Sequence, residues 1–317
     1  MPLFKISRNQ FLAVYSTFSI GGKAKSIYHA ENRQELIGIL DFLHKKRSRF
    51  GIFACGSNIV FPDKGVTYPM IQVTGGKIRV HKSKVLADAG VRLSDLVDFY
   101  LNKNLAGLEK FSGIPGSVGG AVVGNAGAYG ESIGDYIIKV EVWQNGQVKF
   151  LERQMCKFSY RHSIFKEKPF IVLRVELKAV SAEGMKLKKI SAEIIRLREL
   201  KYKSGLKCPG SFFKNIPIAD ASDSLLSKIN QNVIKGGKIP AGYLLESVGA
   251  KGVRVGGIKV ADYHGNLFIN DGQGTFADVK KLAKILKERV KRKYGITLEE
   301  EIRYFFVSDQ IQVFFSG

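Results

Sequence analysis

The chain has 317 residues, of which 45% are hydrophobic and 25% are charged. A chain of this length exceeds the size at which one hydrophobic core usually stops growing, so we expect two or three domains. No apolar run approaches the roughly 18 residues that a membrane-spanning helix needs, which excludes a helical membrane protein. The N-terminal patch FLAVY is too short for a signal peptide, and we therefore expect a cytoplasmic protein.

The net charge is +22, because 50 Lys and Arg residues face 28 Asp and Glu residues. Such a charge attracts polyanions, and nucleic acid is the first partner to consider. The densest basic clusters, at 186–203 and 280–293, have the spacing of amphipathic helices, and the remaining cations are spread along the chain. This distribution favours a solvated basic surface over a nucleic-acid site. An anionic small-molecule substrate is compatible with either interpretation.

Cysteine usage indicates reduced thiols. Cys55, Cys156 and Cys208 form an odd set without a C-x-x-C pair. This pattern suits a reducing compartment better than disulfides or a zinc site, and no metal is expected.

The first predicted elements are a helix, a strand and a polar turn. Asn32 can cap a helix that starts at RQELIGIL, and the apolar run GIFA leads into the turn Gly56-Ser57-Asn58. A strand VLADAG and a helix LSDLVDFYLNKN follow. Farther on, IIKVEVW and VKFLE are predicted strands joined by a hairpin, because Asn145-Gly146 is a tight-turn signal.

The last third of the chain begins after the basic helix near 186–203. It runs from Cys208 through PAGYLLESVG and a strand NLFIN to a helix over 276–293, and it closes with EIRYFF. Gly272–Ala277 matches G-x-G-x-x-A, but no second βαβ half follows it, so we expect a capped turn and not a dinucleotide site. Strands and helices are mixed throughout, which predicts an α/β or α+β chain of three domains.

The segment GIPGSVGGAVVGNAGAYG holds seven glycines in eighteen positions, from Gly113 to Gly130. Glycine permits positive φ and lets the backbone approach a ligand closely, and Pro115 fixes the turn. Together with the turn at 56–58, the loop at 112–121 indicates a bound dinucleotide whose phosphates meet backbone N–H groups. A close-packed turn that binds nothing is the alternative.

The same segment, extended to GLEKFSGIPGSVGGAVVGNAGAYG, resembles the signature of the UDP-N-acetylenolpyruvoylglucosamine reductases, the flavoenzymes of peptidoglycan precursor synthesis. Other family blocks follow the family's order across nearly the whole chain, namely STFSIGGKA, GSNIVFPD, FSYRHSIFK, GSFFKN, IPAGYLLESVGAKGVRVGGIKV and LEEEIRY. Departures from the family pattern are Lys23, Pro209 and Ile216, and none removes a catalytic group.

The resemblance implies a three-domain α+β fold of the vanillyl-alcohol-oxidase type. Residues 1–74 and 75–203 would be FAD-binding subdomains, 204–303 the substrate-binding domain, and the tail 304–317 a candidate to pack on the first. It also implies tight, non-covalent FAD, NADPH as the hydride donor, a UDP-sugar substrate and a monomer. The cofactor-binding residues that it implies are Gly56, Ser57, Asn58, Gly113, Ile114, Pro115, Gly116, Ser117, Gly119 and Gly120.

The family reaction reduces the enolpyruvyl double bond of UDP-N-acetylglucosamine-enolpyruvate to UDP-N-acetylmuramate. The negative charge that develops beside the carboxylate calls for cations or acid hydrogen bonds and then a proton. By resemblance, Arg161 in YRHS contacts the enolate and Ser211 in GSFFKN donates the proton. Glu301, chosen by register among three consecutive glutamates, lies opposite Arg161 and is expected to be protonated, with a raised pKa.

The resemblance further assigns Asn215, Lys238, Lys251 and Arg303 to the sugar nucleotide. His264 and Cys208 lie near the family's active-site blocks without an assigned role.

Two other classes of protein stay open. Another flavin oxidoreductase of the same fold would share the glycine loops but is not expected to keep Arg161, Ser211 and Glu301 together. A basic nucleic-acid-binding protein is expected to interleave aromatic residues with its cations.

Overall fold

The structure, a computed structural model, describes residues 4–305 and 312–313. The strands are β1 (Ile6–Phe11), β2 (Lys23–Ala30), β3 (Gly51–Phe53), β4 (Ile59–Val60), β5 (Met70–Val73), β6 (Ile78–His81), β7 (Lys84–Asp88), β8 (Leu105–Ala106), β9 (Gly127–Ala128), β10 (Glu131–Ser132), β11 (Ile137–Gln144), β12 (Gln147–Glu152), β13 (Ile171–Lys178), β14 (Val180–Ser181), β15 (Ile216–Pro217), β16 (Lys238–Ile239), β17 (Arg254–Val255), β18 (Ile258–Val260), β19 (Phe268–Asn270), β20 (Arg303–Tyr304) and β21 (Gln312–Val313). The α-helices are α1 (Arg33–Lys45), α2 (Leu93–Asn102), α3 (Val118–Gly124), α4 (Gly184–Lys201), α5 (Asp223–Leu226), α6 (Ala241–Glu246) and α7 (Phe276–Tyr294).

The first sheet has the order β1-β2-β5-β3-β21, with β1 antiparallel to β2 and the other pairs parallel. The helix α1 begins where the sequence predicts it, because the side chain of Asn32 accepts a hydrogen bond of 2.9 Å from the backbone N–H of Glu35. Its buried face, which includes Leu36 and Leu40, joins a core that the first and second sheets share.

The second sheet is antiparallel, in the order β12-β11-β13-β7-β6. The predicted hairpin is confirmed. Asn145 and Gly146 both have positive φ, 50° and 80°, as the two central residues of a type I′ turn require. A partly buried ion pair connects this sheet to α1, since the guanidinium of Arg33 donates to both carboxylate oxygens of Glu141 over 2.5 and 2.6 Å.

The third region is built around the small sheet β17-β18-β19, which α7 covers. Its core contains Phe212, Phe213 and Phe268 together with the buried face of α7. The match to G-x-G-x-x-A is the capped turn that the sequence predicts, because Thr275 and Asp278 form a reciprocal capping box at the start of α7.

The last two described strands pair with strands from the first part of the chain. β20 pairs with β4, and β21 pairs with β3, both in parallel. The domain bounds 1–74, 75–203 and 204–303 stay a prediction, and most of the tail 304–317 lies outside the described residues. Mixed antiparallel and parallel sheets with packed helices confirm the α+β class. Among the described residues, none of the helices combines the length and apolar character needed to cross a bilayer.

Candidate active site

A cavity of about 350 Å³ lies where the glycine stretch, the turn after β3, the end of α4 and the segment before β20 come together. The residues that line it are Thr17, Ser57, Asn58, Leu93, Gly113, Ile114, Pro115, Gly120, Ala121, Gly124, Ala126, Gly127, Arg161, Lys166, Arg198, Tyr202, Lys203, Gly205, Leu206, Cys208, Pro209, Gly210, Ser211, Glu301 and Arg303. The cavity therefore joins residues from all three predicted domains.

The two glycine loops contact each other at this cavity. The hydroxyl of Ser57 donates to the carbonyl oxygen of Pro115 over 3.4 Å. Gly56 and Gly113 have φ of 61° and 72°, which side chains rarely tolerate. Apart from its chain neighbours and the backbone of α3, no heavy atom lies within 4 Å of where a Cβ on Gly124 would stand, so the wall beside it is open. A wall of backbone and small side chains fits a large cofactor that approaches the main chain closely, as FAD does.

Some predicted cofactor residues shape the loop without lining the cavity. The buried hydroxyl of Ser117 accepts a hydrogen bond of 3.1 Å from the N–H of Gly120, and so caps α3. The N–H of Gly119 donates to the carbonyl of Ala89 over 2.8 Å, and Gly116 accepts from the N–H of Leu93 over 3.0 Å. These polar groups already have partners within the protein.

Arg161 and Glu301 form an ion pair at the cavity wall. The Nε atom of Arg161 lies 2.5 Å from Oε1 of Glu301, and Nη1 donates to the carbonyl of Gly127 over 3.0 Å. Arg161 has a left-handed backbone with φ of 52°. Its carbonyl accepts a hydrogen bond of 2.8 Å from the Nζ of Lys166, which also lines the cavity. Burial, then the nearby cations Arg303 and Lys214, lowers the pKa of Lys166 to about 8.

The three consecutive glutamates face different partners. Glu299 pairs with Lys214, Glu300 pairs with Lys287, and Glu301 lines the cavity. Two backbone hydrogen bonds hold Glu301 there. Its N–H donates to the carbonyl of Phe212 over 2.8 Å, and its carbonyl accepts from the side-chain amide of Asn58 over 3.1 Å. The arrangement brings Glu301 to both the Ser211 segment and the first glycine loop.

Ser211 follows Gly210, whose φ of 87° turns the chain at the cavity. Its hydroxyl accepts a hydrogen bond of 3.0 Å from the Nζ of Lys201 and lies 3.0 Å from the Oη of Tyr202. Both partners come from the end of α4. Sequence reasoning missed them because they sit in a basic cluster with ordinary helical spacing.

The expectation of a solvated face over 186–203 is wrong at the end of α4. Arg198 and Tyr202 line the cavity, and the Nε of Arg198 donates to the carbonyl of Gly113 over 3.0 Å. Burial lowers the pKa of the Arg198 guanidinium. The physical reason is that the last turn packs over the glycine stretch, which helical periodicity within α4 does not reveal.

Of the residues assigned to the sugar nucleotide, only Arg303 lines the cavity, and burial lowers its pKa to about 10. Asn215 and Lys238 cluster around Tyr160. The N–H of Asn215 donates to the Oη of Tyr160 over 3.1 Å, and the Nζ of Lys238 lies 4.8 Å from the ring centroid. Lys251 forms an exposed ion pair of 2.7 Å with Glu246.

Burial favours the uncharged forms of His264 and Cys208 in this structure. The Nδ1 atom of His264 accepts a hydrogen bond of 3.0 Å from the N–H of Asn266, and burial lowers the pKa of His264 to about 4. The imidazole is therefore neutral at physiological pH. Burial raises the pKa of the Cys208 thiol, which disfavours the reactive thiolate although the residue lines the cavity.

Comparison with protein families matches this fold and site. The family model described as "FAD binding domain" matches residues 24–149, and the model for the C-terminal domain of UDP-N-acetylenolpyruvoylglucosamine reductase matches residues 201–305. The site and the first match define an FAD-binding oxidoreductase, and the α+β FAD-binding fold is confirmed.

Relatives over nearly the full length give the particular family. The chain is 36% identical to UDP-N-acetylenolpyruvoylglucosamine reductase of Solibacter usitatus, over 96% of this chain and 98% of that protein. It is 34% identical to the reductase of Chloroherpeton thalassium, over 95% and 93%. The crystal structure of the Thermus caldophilus reductase aligns with a TM-score of 0.76 at 29% identity, over 96% of this chain and 100% of that one. The chain belongs to the UDP-N-acetylenolpyruvoylglucosamine reductase family.

Proposed function

We propose that this chain reduces the enolpyruvyl group of UDP-N-acetylglucosamine-enolpyruvate to UDP-N-acetylmuramate, with FAD as cofactor and NADPH as electron source. The observation that carries this proposal is the meeting of Arg161, Ser211 and Glu301 at one cavity with both glycine loops. These residues come from distant parts of the chain. A different flavin reaction would have no need of this particular set.

The glycine loops hold the cofactor. Ser57, Asn58 and the backbone of Gly113–Pro115 form its polar and close-packed wall, and Arg198 fixes the carbonyl of Gly113. Gly116, Ser117, Gly119 and Gly120 set the shape of the loop. When bound, FAD would supply the hydride-transfer chemistry between NADPH and the terminal vinyl carbon of the substrate.

The chain's cations stabilise the charge that develops in the substrate. Hydride addition leaves negative charge on the neighbouring carbon, which spreads into the carboxylate. Arg161, Lys166 and Arg303 line the cavity, and the planar fork of Arg161 suits a carboxylate. When the substrate carboxylate pairs with Arg161, the ion pair between Arg161 and Glu301 breaks. Glu301 can then carry a proton and donate it in a hydrogen bond to the enolate.

Ser211 delivers the proton to the neighbouring carbon. Its hydroxyl faces the cavity, and the backbone of the following residue is bonded to Glu301, so both groups have fixed positions. Because Ser211 and Glu301 are held in place before the reaction starts, the entropic cost of bringing the reacting groups together is lower.

The sugar nucleotide extends from the cavity toward the cluster of Tyr160, Asn215 and Lys238, and then toward Lys251. Lysines suit its diphosphate as point charges. The cytoplasm is the proposed compartment, because Cys55, Cys156 and Cys208 are all free thiols. We take the working form as a monomer with FAD-binding subdomains at 1–74 and 75–203 and a substrate domain at 204–303.

An anaerobic titration tests the proposal. The absorbance spectrum of the FAD-loaded protein is recorded alone, after NADPH, and after UDP-N-acetylglucosamine-enolpyruvate. We expect NADPH to bleach the flavin bands and the substrate to restore them. Bleaching without restoration would point to another flavoenzyme on the same fold. No flavin binding after reconstitution would overturn the proposal and favour a polyanion-binding protein.

A further inference from the structure

The hydroxyl of Ser211 is held by two hydrogen-bonding groups from the end of α4. The Nζ of Lys201 and the Oη of Tyr202 each lie 3.0 Å from Oγ. A lysine ammonium carries donors only, so Oγ is the acceptor in the first bond. When Tyr202 donates as well, both lone pairs of Oγ are occupied. The proton of Ser211 is then left to point into the cavity.

Tyr202 is itself fixed by the last turn of α4. Its N–H donates to the carbonyl of Arg198 over 2.7 Å. Its ring lies close to two cations, with the Arg198 guanidinium 5.1 Å and the Lys201 Nζ 5.0 Å from the ring centroid. Arg198 also bonds to Gly113, so one helix end joins the second glycine loop to Ser211.

We infer that Lys201 and Tyr202 are positioning residues that make Ser211 a proton donor, an inference that rests on the proposed function. They direct the proton of Ser211 toward the substrate and stabilise the oxyanion that its departure leaves. A serine hydroxyl alone is a weak acid, and an adjacent ammonium with a second donor supplies the missing stabilisation. Charge-assisted hydrogen bonds are about twice as strong as neutral ones.

The O–H bond of Ser211 breaks, and a C–H bond forms at the substrate carbon next to the carboxylate. The electron pair of the O–H bond stays on Oγ, which lies between the Lys201 ammonium and the Tyr202 hydroxyl. A proton from water restores the serine after the product leaves. Nothing is oxidised or reduced in this step.

The test measures the two half-reactions of the FAD-loaded protein separately. Lys201→Met and Tyr202→Phe should leave flavin reduction by NADPH within about threefold. They should slow reoxidation by UDP-N-acetylglucosamine-enolpyruvate by about tenfold to a hundredfold, the range for a lost hydrogen bond to a charged group. Lys201→Arg should recover most of that rate, because it keeps the charge and the donors. Lys188→Met, exposed on the same helix about 20 Å away, should match the wild type.

A double variant decides whether Lys201 acts through Ser211. In a Ser211→Ala background, Lys201→Met should slow reoxidation no further, since the hydroxyl that it assists is gone. A further loss of the same size would overturn the inference, because Lys201 would then act on the substrate directly. Loss of flavin reduction in Lys201→Met would also overturn it and indicate a structural role. If the substrate does not reoxidise the wild-type protein, the proposed function is wrong. The positioning role of Lys201 and Tyr202, which depends on it, is then wrong as well.

Discussion

The Nε atom of Arg161 lies 2.5 Å from Oε1 of Glu301, although Arg161 belongs to the predicted second subdomain, 75–203, and Glu301 to the end of the predicted substrate domain, 204–303. Arg161 reaches this position with a left-handed backbone, a conformation that costs a non-glycine residue about 1–3 kcal/mol. The bonds from Lys166 to its carbonyl and from its Nη1 to Gly127 hold it there. A strained arginine facing a carboxylate at a cavity suggests a functional constraint.

Glu301→Gln should lower the rate of substrate-dependent flavin reoxidation by about 10²–10³-fold, as the loss of one preorganised oxyanion partner does elsewhere. The amide keeps the shape of the side chain but can neither pair with Arg161 nor carry an acidic proton. Stopped-flow absorbance after mixing reduced enzyme with substrate measures this rate.

Glu299→Gln is the matched control, because that side chain is exposed and pairs with Lys214 instead. It should reoxidise at the wild-type rate. Equal losses in the two variants would remove the special role of Glu301.

Gly56→Ala should weaken FAD binding. An added Cβ would stand 2.0 Å from the carbonyl oxygen of Tyr15, and the φ of 61° is itself unfavourable for alanine. The loop that carries Ser57 and Asn58 must then move. The ratio of flavin absorbance to protein absorbance after reconstitution measures the loss, which we expect to exceed tenfold in affinity.

Gly249→Ala controls for the cost of placing alanine at positive φ without a clash. Gly249 has a φ of 69°, and no atom beyond its chain neighbours lies near the added Cβ. This variant should be slightly less stable but should bind FAD normally. Full flavin occupancy in Gly56→Ala would contradict the assignment of the turn at 56–58 to the cofactor.

The reoxidation rate should fall at alkaline pH, giving its pH profile an alkaline limb, because Lys166 loses its proton. Its pKa of about 8 means that the charge facing the cavity is lost above that pH. Lys166→Arg should move the limb well above pH 8, since guanidinium stays protonated. Lys166→Met should be about tenfold slower and show no limb near pH 8. The measurement is single-turnover reoxidation between pH 6 and pH 10.

Lys168→Arg, an exposed change two residues away, should keep the wild-type profile. A limb near pH 8 that persists in Lys166→Arg would assign the titration to a different group.

His264 should make the folded protein sensitive to acid. Its pKa falls from 6.5 to about 4 on folding, so between these values the unfolded chain binds the extra proton. Stability therefore rises with pH across this window and is lost as pH falls through it. His264→Asn should flatten this dependence by about 1–2 kcal/mol, after allowance for partial exposure.

Urea unfolding at fixed FAD, between pH 4 and pH 7, measures this dependence. His81→Asn, an exposed histidine at the end of β6, should leave the slope as in the wild type. An unchanged slope in His264→Asn would show that other groups control acid stability.

Much of the local structure could be predicted because its causes are local. The Asn32 cap, the Asn145-Gly146 turn and the capped turn at 272–277 act within a few residues, and the structure contains all three. The glycine loops were recognisable because positive φ and close approach restrict those positions to glycine. The family could be recognised because its motifs occur in order along the chain.

The sequence by itself determined the fold class, the family and the residues worth considering for the site. Tertiary structure decided which of them meet. It turns Glu301, and neither Glu299 nor Glu300, toward the cavity, and it brings Lys201 and Tyr202 to Ser211 while Lys251 stays at an exposed ion pair. The reason is physical. Caps and turns depend on neighbours along the chain, whereas a site depends on long-range packing between elements that no local pattern records.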